Sequence, residues 1–134
     1  MRIYTVKISF GTGLTLDNAS NDINRFRKHG MNDVELDGLF DMNIKRAYQV
    51  TIGTGGNLKA LYQDSITWLD GILHDMNMLF MHDSAKALRY KLIDAIEHNE
   101  LGMNYIVRLP ISAFALQFNV SSYNNDDVEY HPVQ

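Results

Sequence analysis

Residues 58–99 constrain the fold more than any other stretch. Leu58, Leu61, Tyr62, Ser65, Trp68, Leu69, Ile72, Leu73, Met76, Leu79 and Phe80 recur at steps of three and four, the spacing of one broad helix face. Asn57 stands where an N-cap is needed. Ala85, Leu88, Leu92, Ala95 and Ile96 carry the stripe on toward Asn99, with Gly102 just beyond. A single helix over the whole stretch would be about 63 Å long, too long for a compact domain of this chain length. Two helices are therefore expected, turning near Met81 to Ser84, where His82, Asp83 and Ser84 interrupt the apolar run and offer caps.

The chain on either side reads mainly as strand. Tyr4, Val6, Ile8 and Phe10 alternate with Ile3, Thr5, Lys7 and Ser9, the period of a half-buried strand. Asp17, Asn18 and Ser20 are N-caps for a short helix ending near His29, with Gly30 as its C′ residue. Val34 and Leu36 alternate with Asp33, Glu35 and Asp37. Ile44, Tyr48, Val50 and Ile52 share a face, with Arg46 among them. Later, Tyr105, Val107 and Leu109 precede Pro110, which marks an edge or a bend. Phe114, Leu116, Phe118 and Val120 then resume the alternation. Displaced by 44 residues, Tyr4, Val6, Ile8, Gly11 and Leu14 match Tyr48, Val50, Ile52, Gly55 and Leu58. Two strand–turn–helix units with a strand between them suit a split βαβ plan.

These patterns predict an α+β fold. Its sheet is antiparallel or mixed, of four to six strands, with a long helix or helix pair over residues 58–99 packed on one face. A ferredoxin-like βαββαβ arrangement is the specific version. One domain over residues 1–123 is expected, followed by a loose, polar, acidic tail over 124–134.

Composition narrows the chemistry. There are no cysteines, so disulfides, thiolate metal sites and cysteine nucleophiles are excluded. The net charge of −4 opposes non-specific nucleic-acid binding, which relies on Lys and Arg. No apolar run has the length of a signal peptide or a membrane span, and the expected location is the cytoplasm. The glycines of 53–56 fit neither G-x-G-x-x-G nor G-x-x-x-x-G-K-[ST], and there is no H-E-x-x-H or G-x-S-x-G. No catalytic residue, metal or cofactor is assigned.

The densest apolar segment is 76–81. Met76, Leu79 and Phe80 lie on the core stripe, whereas Met78 and Met81 project elsewhere, as in a helix buried on two sides. Met76, Met78, Phe80, Met81 and His82 are accordingly expected to form a contact surface, and the chain to be a small protein-binding or regulatory module that self-associates. A variant is an inhibitor presenting Asp33, Glu35, Asp37, Asp126, Asp127 and Glu129 in place of phosphates. One alternative is nucleic-acid binding on a sheet face through Tyr4, Tyr48, Tyr105 and Arg46. Another is a metal-dependent enzyme. Carboxylates two apart on the Asp33, Glu35 and Asp37 strand would share a divalent ion. His74 and His82, about 12 Å apart on a straight helix, would need a kink or a second chain.

Overall fold

The computed structural model describes residues 1–13, 19–35, 40, 44–109 and 114–126. Among these residues, five strands form one antiparallel sheet: β1 (Arg2–Thr12), β2 (Asn32–Val34), β3 (Arg46–Gly55), β4 (Tyr105–Arg108) and β5 (Phe114–Asn124). Their order is β2-β3-β1-β5-β4. Helix α1 (Ala19–Arg27) lies between β1 and β2; α2 (Leu58–Leu73), a 3-10 segment (Met76–Met81) and α3 (His82–Glu97) lie between β3 and β4. The α+β class, the antiparallel sheet and the helix pair agree with the sequence. So does the split βαβ order: β3 separates β1 from β2, and β1 separates β3 from β5. The departure is the hairpin strand β4. Because α3 returns the chain to the end of the sheet where α2 began, one further strand is needed before β5 can run antiparallel to β1.

Strand alternation assigns the two faces. Val6, Ile8 and Phe10 are fully buried beneath the helices, with Tyr48, Val50, Leu116 and Phe118 as their cross-strand neighbours or close companions. The opposite face is polar: Asn32, Gln49, Ser9, Gln117 and Ile106 succeed one another across all five strands. Gln49 Nε2 donates to Ser9 Oγ at 2.7 Å. At one end of this face Gly11 admits a close approach, since a Cβ there would stand 2.7 Å from Ile44 Cγ2 and 2.9 Å from the Phe40 ring. Ile44 thus lies across the sheet from Tyr48, outside β3, and not on a common face with it.

Helix α2 starts as its sequence requires: Asn57 Oδ1 accepts from Ala60 N at 3.1 Å. Leu58, Leu61, Tyr62, Ser65, Leu69 and Ile72 are buried along it. Gly71 meets only open space, so it is not there to admit a neighbour. The helix ends earlier than the spacing predicts. His74 is its C-cap, and Asp75 is extended, with its side chain accepting from Asn77 N at 3.0 Å. His82 and Ser84, expected at a break, are instead buried in the first turn of α3. The break is set by a local cap at Asp75, and the 3-10 segment lets apolar residues face inward in more than one direction.

Helix α3 ends in a Schellman motif. Asn99 adopts a left-handed φ of 53°, Glu100 N donates to Ala95 O at 2.8 Å and Asn99 N to Ile96 O at 3.3 Å, satisfying two terminal carbonyls. Gly102, at φ 92°, then turns the chain into β4. Tyr62 fixes this turn: its hydroxyl accepts from Gly102 N at 3.0 Å and donates to Met103 O at 3.5 Å. Burial pushes that hydroxyl's pKa up. At the far end, β5 continues to Asn124, pairing with Arg2, so the first residue assigned to the tail belongs to the strand.

Candidate functional site

The Met-rich segment is divided between core and surface. Met78 and Met81 are fully buried, His82 is 8% exposed, and Phe80 is partly buried. Phe80 stands within 5.8–6.1 Å, centroid to centroid, of Phe10, Phe26 and Phe114. His82 Nε2 faces two carbonyl oxygens, of Ile72 at 3.1 Å and Asp75 at 3.2 Å, so it serves as a donor. The two-sided burial that suggested a partner is thus supplied by this chain's own sheet and helices. Of the segment's apolar residues, Met76 and Leu79 alone are exposed, at 72% and 58%.

The polar residues around the break form a clasp. Asp75 Oδ2 lies 2.7 Å from His29 Nε2 and 3.6 Å from Lys28 Nζ. Trp68 Nε1 donates to His29 O at 2.8 Å. The hydrogen bond from His29, then that from the Asn77 amide, holds the Asp75 carboxyl below its ordinary pKa. Each named polar group has its partner within the clasp, which ties α1 to the end of α2. His74 Nδ1 bonds Asp70 O at 2.7 Å, and Asp70 pairs with Arg89 at 2.8 Å. Among the described residues no group of three His, Asp or Glu converges on one point that would hold a metal ion.

The acidic residues are not brought together. Asp33 and Glu35 are exposed, but β2 ends at Val34, so strand alternation does not extend to Glu35. Asp37, Asp127 and Glu129 lie outside the described residues. Asp126 receives the N-terminal ammonium at 2.7 Å. Asp33 pairs across the sheet with Tyr48, which pairs with Phe10. Asp126 therefore lies near the opposite end of β1, about 30 Å away by strand rise. The aromatic set fares similarly. Tyr48 is buried in a stack on Phe26, 3.8 Å between centroids, with the Arg46 guanidinium over it at 5.4 Å. Tyr4 and Tyr105 pack against the helix-covered core. The polar sheet face opposite the helices carries none of these three rings.

The structure instead gathers residues between α3 and the edge strand β4. A groove of about 420 Å³ is lined by Ala87, Tyr90, Lys91, Asp94, Glu100, Met103 and Tyr105. Tyr90 is 73% exposed and Met103 51%; Ile106, on the other face of β4, is 57% exposed. Lys91 Nζ sits 5.7 Å from the Tyr105 ring centroid. Burial first, then the charges of Glu100 and Asp94, raises the pKa of the Tyr105 hydroxyl. The Asp94 carbonyl, then its carboxylate, raises that of His98. The groove thus couples apolar side chains to a rim of both signs.

No family model, curated protein or solved structure matches the chain.

Residue spacing does not point to Tyr90, Lys91, Asp94 or Met103. The available signal is Tyr90 itself, a large ring off the stripe of Ala85, Leu88, Leu92 and Ala95. The rest of the groove depends on where the turn after α3 delivers β4.

Proposed function

We propose that the protein is a small protein-binding module that works by contact and self-associates. The observation that carries this is the pairing of Tyr90 and Met103, both more than half exposed, in one groove between α3 and β4, with Ile106 exposed on the other face of the same edge strand. Exposed large apolar side chains are common singly and informative when contiguous. Met76 and Leu79 add a second, smaller outward pair on the 3-10 segment. The clasp at Asp75 supports the same reading from the other side, since its charged groups are engaged in holding elements together. No helix among the described residues is long and apolar enough to cross a membrane.

Light scattering on the size-fractionated full chain tests this. A species heavier than one chain, growing with concentration across the micromolar range, is expected. A constant monomer mass overturns self-association.

A further inference from the structure

The groove between α3 and β4 also suggests how two copies meet, an inference that rests on the self-association just proposed and gives it a surface. We propose that two copies join edge to edge through β4, on a two-fold axis beside Ile106, making one continuous sheet across the pair. The strand order leaves the outer side of β4 without a partner strand among the described residues. Val120 N points toward the β4 side, where Asn104 Oδ1 takes it at 2.6 Å. Alternation along the ladder then turns the backbone groups of Tyr105 and Val107 inward to β5 and those of Ile106 outward. With the axis at Ile106, each copy's Ile106 exchanges backbone hydrogen bonds with its counterpart, and Tyr105 faces Val107 of the second copy. The exposed Ile106 side chains then cover each other.

The rim of the groove chooses a second copy as the occupant. Lys91 and Asp94 stand three residues apart on α3, on the groove side. The same two-fold sets the two copies of α3 antiparallel above the seam, and an antiparallel pairing brings Lys91 of each against Asp94 of the other. A patch with opposite charges spaced along one helix is complementary to itself under that rotation. Tyr90 and Met103 supply apolar area beside it. The opposite sheet edge does not compete: β2 is three residues long and carries the exposed Asp33, which discourages edge pairing. A closed pair is therefore favoured over an open-ended ladder.

Sedimentation equilibrium of the full chain is the test. A dimer is expected, with Ile106→Lys and Tyr90→Glu each weakening it at least about tenfold. Lys91→Glu should weaken it too, and the double variant Lys91→Glu with Asp94→Lys should restore it, because the swap re-creates the opposite-sign pairs only between identical copies. Thermal melts confirm that each variant is folded. A dimer indifferent to Ile106→Lys and Tyr90→Glu but dissolved by Met76→Glu or Leu79→Glu overturns the β4 seam and leaves self-association standing. A monomer throughout overturns both.

Discussion

The two flanks of the sheet are built on opposite plans. At the β2 flank, α1 is pinned from above and below. Phe26 stacks on Tyr48 at 3.8 Å and meets Phe10 and Phe80 within 6 Å, while His29 joins Asp75 and Trp68. What remains outside is short and acidic. At the β4 flank the inward anchors are slighter: Val107, 5% exposed, and Tyr105, 6.3 Å from Phe118. What remains outside is apolar, with the Lys91, Asp94 and Glu100 rim. A flank that turns its aromatic residues inward closes the domain; one that leaves them outward has surface to offer a partner.

The largest expected effect tests the closed flank. Phe26→Ala removes a fully buried ring that meets two strands and the 3-10 segment at once. Truncation of a buried Phe costs about 3–5 kcal/mol, equivalent here to a fall in melting temperature of about 10 °C or more. Denaturant titration should show the lost stability. If Val107→Ala at the open flank costs as much, the contrast between the flanks fails.

The clasp makes the next prediction, and its sign follows from the lowered pKa of Asp75. A carboxyl whose folded pKa is depressed contributes stability that is fully present above its ordinary value of about 3.9 and is lost as pH falls through the lower folded value. Asp75→Asn keeps a capping side chain that can still accept from the Asn77 amide but removes the charge beside His29 and Lys28. At neutral pH the variant should melt below the parent, by less than Phe26→Ala does. The two melting curves should converge as the pH is lowered into the acid range. A gap that stays constant with pH would show that the carboxylate charge contributes nothing at the β2 flank.

Between the flanks, Gly71 sets the scale of a helix position that contacts neither. It is exposed on α2, with nothing near a Cβ built there. Gly71→Ala should raise stability by about 0.5–1 kcal/mol through backbone entropy alone, measured by chemical denaturation.

How much of the fold is legible in the sequence depends on the range of the interactions involved. The stripe from Leu58 to Ile72 and the alternation in β1 follow from residue spacing and appear where expected. Asn57 shows itself as a cap because the preference is local. The break falls earlier than expected because His82, Asp83 and Ser84 have the composition of a cap, whereas Asp75 has the geometry. Asp75 is extended and hydrogen-bonded to Asn77, and His29, brought from the turn after α1, holds its other oxygen. Met78 and Met81 are surplus apolar residues only on a straight α-helix; the 3-10 winding turns them into the core. The groove is least legible. It needs Tyr90 from α3, Met103 from the turn that Tyr62 fixes, and the outermost position of β4, and no local pattern encodes an outermost position.

The smallest expected effect on folding is the sharpest test of the open flank. Ile106 is 57% exposed and shares its face with Gln117 and Ser9, so the isolated chain gains little from its apolar side chain. Ile106→Lys should leave the stability of the monomer within about 0.5 kcal/mol of the parent, as for surface substitutions generally, when unfolding is followed at concentrations too low for association. Lysine is also a residue that discourages strand edges from pairing. Stability unchanged at low concentration, together with association lost at high concentration, would separate what folds this chain from what it offers to another. A large loss of monomer stability would mean instead that Ile106 belongs to the core of its own domain, and that the β4 flank is closed after all.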